Sequence, residues 1–144
     1  MNPLHILLVD DNETDIAIAK RALKEGGIEH TLSVVYDGVD AIDFLYKKAP
    51  YQEAFRPDII LLDLNMPKKD GHEVLREIRT SNELSNIPVI VLTTSDSDQD
   101  IMKSYKLHVN GYIKKPVDSK KFCHAVKSLT INDFFLPFIN KKEK

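Results

Sequence analysis

The chain has no tryptophan, one cysteine and only five glycines in 144 residues. A lone Cys123 cannot close an internal disulfide, so a disulfide-stapled secreted scaffold is excluded. Cys123 falls in a helical pattern and is expected to be a small core or surface residue. No apolar run approaches the roughly 18 residues a membrane span needs. The N-terminus carries no signal-like stretch. A cytoplasmic protein with no membrane association is therefore the expectation. A Gly-rich phosphate loop of the GxxxxGK type and a GxSxG elbow are both missing. His5, His30, His72, His108 and His124 show no metal-ligand spacing. A basic excess is lacking as well: the formal net charge is −2, which gives no electrostatic case for nucleic acid. Lys141, Lys142 and Lys144 form a basic tail too short to change that.

What is present describes one soluble globular domain, with 42% hydrophobic and 29% charged residues in a length that buries a good single core. Short apolar runs at Leu4–Val9, 31–36, 58–62, Val89–Thr93 and 111–113 read as strands. Helical patterns fall between and after them, at 14–25, 39–48, Gly71–Thr80, 98–106 and 119–134. The first places Ile16, Ala19 and Leu23 at helical spacing and stops before Gly26-Gly27. The third has Val74, Leu75 and Ile78 on one stripe, with Arg76, Glu77 and Arg79 expected to face water. Asp37, Asp40 and Asp43 read as a solvated acidic face. Five strands alternating with five helices imply right-handed crossovers and a parallel sheet covered on both faces, an α/β fold.

Two of these strands end in acids. LHILLV runs into Asp10 and Asp11, and IILL runs into Asp63, with Asn65 two residues on. Continuous apolar runs suit parallel strands buried on both faces, and open α/β sheets build their sites at the carboxyl ends of such strands. Three carboxylates on one edge repel unless a cation sits among them, which points to a hard divalent ion and, through it, a phosphate. The plainer alternative is that Asp10 and Asp11 cap the first helix. For an adjacent pair matched by a third acid, the metal site is the better account.

The motifs LLVDDN at 7–12, LLDLNMPKKDG at 61–71, VIVLTTS at 89–95 and GYIKKP at 111–116 together resemble a response-regulator receiver domain of the chemotaxis-regulator type. They occur in family order and at family spacing, over about residues 4–129. The loop 49–57 and the sequence LTTSDSDQDI further resemble stand-alone regulators paired with bacterial phytochrome-type histidine kinases. The resemblance implies a flavodoxin-like, doubly wound five-stranded parallel sheet of order 2-1-3-4-5 with five helices. It also implies a receiver domain at 1–130 followed by a C-terminal extension at 131–144.

The same resemblance assigns roles. Asp63 accepts a phosphoryl group from a sensor histidine kinase. Mg²⁺ is ligated by Asp11, Asp63 and the main-chain carbonyl of Asn65, with Asp10 acting through water. An octahedral ion that keeps several waters needs only one or two direct carboxylates. A carboxylate is a competent nucleophile for an aspartyl phosphate, and transfer depends mostly on positioning and charge. Lys115 supplies the ammonium; Lys114 competes for that role, but strand alternation sends the two to opposite faces. Thr93, rather than Thr94, is the hydroxyl that senses the phosphate. Tyr112 is the aromatic partner of the switch, with an ordinary edge aromatic as the alternative. Met66-Pro67 and Asp70-Gly71 shape the loop beside the pocket, or are simple turn chemistry. Asn65 and Ser95 are small and polar, and with the methyl of Thr94 they imply an intermediate to slow loss of phosphate. Such a protein catalyses only its own phosphorylation and dephosphorylation and is not an enzyme in the usual sense.

Two other classes fit less well. A haloacid-dehalogenase-like Mg²⁺ phosphatase wants a second acid where Asn65 stands. A flavodoxin-like binding module wants a hydroxyl- and glycine-rich loop where Asp10-Asp11 stands. The short stretch after Leu129 leads to the expectation of output through protein contacts rather than DNA. Within it, Phe134, Phe135, Leu136, Phe138 and Ile139, broken by Pro137, form an apolar arm. That arm either supports a two-fold homodimer or folds back over its own domain.

Overall fold

The computed structural model describes residues 3–66, 70–93, 109–115 and 118–131. The expected helix at 98–106, the positions Pro67, Thr94, Ser95 and Pro116, and the arm at 134–139 lie outside them.

Five parallel strands stand in the order β2-β1-β3-β4-β5. They are β1 (Leu4–Val9), β2 (His30–Val35), β3 (Ile59–Asp63), β4 (Val89–Thr93) and β5 (Gly111–Lys114). Every residue of β3 and β4 is buried, as unbroken apolar runs between two helical layers require. The edge strand β2 is only half-buried over most of its length.

Four helices lie among the described residues: α1 (Glu13–Glu25), α2 (Gly38–Leu45), α3 (Gly71–Thr80) and the C-terminal α4 (Ser119–Ile131). They cover both faces. Ile16, Ala19 and Leu23 of α1 join Phe122, Ala125 and Val126 of α4 over Ile6, Leu8, Leu61 and Leu92. On the other face Ile42 and Phe44 of α2 and Val74, Leu75 and Ile78 of α3 pack over Leu7, Ile60, Leu62 and Val91. Each of the larger side chains contributes about 1.5–3 kcal/mol by leaving water, the alanines less.

The helix ends carry their own signals. Asn12 caps α1 by accepting from the Asp15 N–H at 3.0 Å. After Gly26, Gly27 takes a left-handed φ of 71°. Asp70 and Glu73 form a capping box at the start of α3, satisfying two donors that the first turn leaves open. Cys123 is half-buried, and its thiol donates to the Ala22 carbonyl at 2.7 Å. A Cβ added at Gly26 would come within 2.5 Å of that sulfur, so the close seating of α1 on α4 depends on glycine there.

Three expectations need correction. The second helix ends at Leu45 rather than 48, because Lys47 adopts φ 57° and the Lys48 N–H closes back on Asp43 O at 2.8 Å. Asp37 is not on a solvated face: it is buried and caps α2, accepting from the Asp40 N–H at 2.9 Å. Arg79 does not face open water. Its guanidinium donates to the Ser85 and Ile87 carbonyls and to Asn110 Oδ1, tying α3 to the entries of β4 and β5.

Candidate functional site

The sheet brings the predicted acids together. β1 and β3 are neighbours with Val9 opposite Leu62, so Asp10 and Asp63 leave adjacent strands at the same height. Carboxylate oxygens of Asp10, Asp11 and Asp63 lie within 4.8 Å of one another. Asp10 and Asp63 are buried, whereas Asp11 is exposed at the rim. Asp10 Oδ1 accepts from the Asn12 N–H at 2.9 Å, and Asp63 Oδ1 accepts from the Asn65 N–H at 2.9 Å. Each acid is thus fixed by the turn that follows its own strand. The first residue of α3 presses on the same point. A Cβ at Gly71 would collide with the main chain of Asp63 and Leu64, so only glycine lets the helix start this close to the acid.

Lys115 supplies the positive charge. Its main-chain N–H donates to Thr93 O at 2.7 Å, extending the β4–β5 ladder by one step. Its buried ammonium reaches Asp10 Oδ2 at 3.2 Å, Asp63 Oδ2 at 3.2 Å and Asp15 Oδ2 at 2.7 Å. Lys114 is exposed, so of the two lysines it is Lys115 whose ammonium lies buried among the acids. Burial raises Asp63 to about 6; the Asn65 N–H and the Lys115 charge oppose that rise, and Asp10 adds to it. Burial alone would lower the Lys115 ammonium. The Asp15 hydrogen bond and the charges of Asp63 and Asp10 outweigh it and push Lys115 up to about 12. One lysine therefore faces several carboxylates and does not neutralise them.

The donor set fits a hard divalent cation. Asp10 Oδ2 is buried and, beyond its ion pair with Lys115, has no hydrogen-bond partner among the described residues. A buried, unsatisfied carboxylate oxygen is costly. Three carboxylates in oxygen-ligand reach, one of them open to solvent, suit an ion that retains water.

The remaining predicted residues lie around this centre. Thr93 is buried at the end of β4, one position beyond the Asp63–Leu92 pair of the β3–β4 register. Tyr112 pairs with Val91 and is half-buried against the α2–α3 core face. Asn65 is exposed beside Asp63. Asp15 was not anticipated. It sits in the first turn of α1, where an acid is ordinary, and nothing in the local pattern signals its contact with Lys115.

The sequence model of the response regulator receiver domain matches residues 6–127. The chain belongs to the response regulator receiver family. It is 43% identical over 138 residues to the response regulator Rcp1 of Synechocystis sp., spanning 94% of both chains. Among solved structures it resembles the Mn²⁺-bound form of Rcp1, with 44% identity, coverage of 88% of this chain and 91% of that one, and a TM-score of 0.79. The phosphorylated cyanobacterial phytochrome response regulator RcpA gives 44% identity, coverage of 93% and 94%, and a TM-score of 0.79. The bacteriophytochrome response regulator RtBRR gives 40% identity, coverage of 91% and 80%, and a TM-score of 0.81. Both the receiver resemblance and its phytochrome-regulator flavour therefore hold. This receiver is a signalling module rather than a conventional enzyme, and its acidic pocket is a divalent-cation site in character. No helix among the described residues is long and apolar enough to cross a membrane.

Proposed function

We propose that this receiver takes one phosphoryl group onto Asp63 from a phosphohistidine of a phytochrome-type sensor histidine kinase in the cytoplasm. One observation carries the proposal. The Asp63 carboxylate is buried at a strand end, held by the Asn65 N–H on one oxygen and Lys115 on the other, beside two further carboxylates. In the transfer an Asp63 oxygen forms a bond to phosphorus as the phosphorus–imidazole nitrogen bond breaks, and the imidazole leaves with its electron pair.

The residues divide the work. Asn65 N–H orients the carboxylate, and Lys115 offers a mobile point charge to the incoming phosphoryl oxygens. Asp11, Asp63 and the Asn65 main-chain carbonyl would hold Mg²⁺ directly, with Asp10 acting through water. When bound, that cation screens the charge that develops during transfer. Thr93, at the neighbouring strand end, donates its hydroxyl to the phosphoryl group and draws the following loop inward, and Tyr112 changes rotamer with it. The altered surface, formed with β5 and α4, signals by protein contacts. The receiver unit is assigned to 1–130 and the extension 131–144 to a two-fold homodimer.

The test is incubation of the chain with acetyl phosphate or phosphoramidate and Mg²⁺, followed by intact-mass measurement. One base-labile phosphoryl group is expected, lost on adding EDTA before the donor. Equal uptake by Asp63→Asn would overturn the assignment.

A further inference from the structure

Lys115 has three carboxylate partners, and the shortest of the three contacts is not to the phosphoacceptor. Asp15 Oδ2 lies 2.7 Å from the ammonium, against 3.2 Å for Asp10 and 3.2 Å for Asp63. The Asp15 carboxylate is 14% exposed, so the pair is poorly screened by water. Asp15 stands outside the three-acid group whose oxygens lie within 4.8 Å of one another. It acts on the lysine, not as a member of that group. Its backbone is pinned by the Asn12 cap at 3.0 Å, which fixes the first turn of α1 against the pocket. An acid in a helix's first turn ordinarily needs no partner, since the helix dipole favours it there. That default does not account for a short, partly buried contact with a lysine at the end of β5, which β3 and β4 separate from β1 in the sheet.

We propose that Asp15 is a positioning residue that holds the Lys115 ammonium on the α1 side of the pocket. It competes with a phosphoryl group on Asp63 for that ammonium. This rests on Asp63 being the acceptor. An ammonium has three N–H donors. In the phosphoryl-free protein Asp15 and Asp63 accept from two of them, and Asp10 Oδ2 holds the charge as an ion pair at 3.2 Å. A phosphoryl group on Asp63 brings new anionic oxygens that draw the ammonium toward them and away from its 2.7 Å contact with Asp15. The competition lowers the occupancy of the phosphorylated form, while the Asp15 charge adds to the negative potential that draws a cation into the same pocket. Removing the charge therefore moves the two affinities in opposite directions. General structural damage would weaken both.

The experiment uses the full chain and two titrations by calorimetry: Mg²⁺ alone, then the phosphoryl mimic trifluoroberyllate at saturating Mg²⁺. For Asp15→Asn, Mg²⁺ binding is expected to weaken several-fold. Trifluoroberyllate binding is expected to tighten on the order of tenfold, the scale that separates a charge-assisted from a neutral hydrogen bond. Asp15→Glu restores the charge and brings both values back toward wild type. Asp15→Ser carries the same expectation as Asp15→Asn and serves if the amide variant does not fold. Unchanged or weaker trifluoroberyllate binding by a folded charge-removed variant overturns the positioning role. If the wild type binds no trifluoroberyllate, or Asp63→Asn binds it equally well, the fault lies instead with Asp63 as acceptor.

Discussion

Lys115 Nζ lies 3.2 Å from Asp63 Oδ2, and both side chains are buried. Removing the lysine leaves buried carboxylates without their cation, whereas neutralising Asp63 leaves Lys115 still paired with Asp10 and Asp15. The site is stable with its charges partly matched and becomes better matched when a divalent ion enters.

The first consequence is a pH dependence of stability. Burial holds Asp63 at about 6, above its ordinary 3.8, so the folded state binds this proton more tightly than the unfolded one. The linked contribution falls as pH rises from about 4 through about 6 and is flat above. Its size is roughly 3 kcal/mol at most. Lys115 acts oppositely: its rise to about 12 from 10.5 contributes stability below pH 10.5 that is lost as pH passes 12. Urea unfolding in EDTA should show Asp63→Asn gaining on the wild type between pH 4 and 7. Saturating Mg²⁺ should reverse that gain by stabilising the wild type more. A constant difference across that pH range would contradict the assignment of the shift.

Lys115→Met should destabilise the cation-free protein by about 3–5 kcal/mol, the scale for stripping one partner from a buried ion pair. Divalent cation should restore part of the loss, because it replaces the missing charge. Phosphoryl uptake from a small donor should slow sharply. Thermal melts with and without Mg²⁺ check the first two points, and a variant that melts like wild type in EDTA would refute them.

Gly71→Ala tests the tight start of α3. The added methyl meets the main chain of Asp63 and Leu64, so the strand end or the helix must shift. A loss of about 1–3 kcal/mol is expected, as for overpacking elsewhere. Uptake of phosphate should also slow, because a small displacement of a positioned group is costly in rate. Uptake at the wild-type rate in a destabilised Gly71→Ala would separate packing from positioning.

The homodimer is tested by solution mass. The full chain at high micromolar concentration should weigh as a dimer, and a version ending at Asp133 as a monomer. A monomeric full chain removes the dimer. A dimeric truncation removes the arm from responsibility.

Much of the fold was legible because this sheet is covered on both faces. Burial of β3 and β4 at every position leaves an unbroken apolar run, and the acids that end β1 and β3 mark the site edge without further help. The rest depends on long-range contacts or unusual backbone. Lys47 takes a left-handed conformation with no glycine to announce it, so α2 stops earlier than its pattern suggests. Arg79 looks like any surface arginine until the loop at 81–88 presents its carbonyls. Asp15 meets Lys115 only because α1 and the end of β5 converge over the pocket. No local pattern encodes that meeting.

The central claim is the identity of the acceptor, and reductive trapping tests it most directly. The chain is phosphorylated with a small donor and Mg²⁺, reduced with borohydride to convert any aspartyl phosphate to homoserine, digested, and read by peptide mass spectrometry. Homoserine at position 63 alone is predicted. Homoserine at Asp10 or Asp11, or phosphate held on another residue while Asp63 stays intact, would contradict the account.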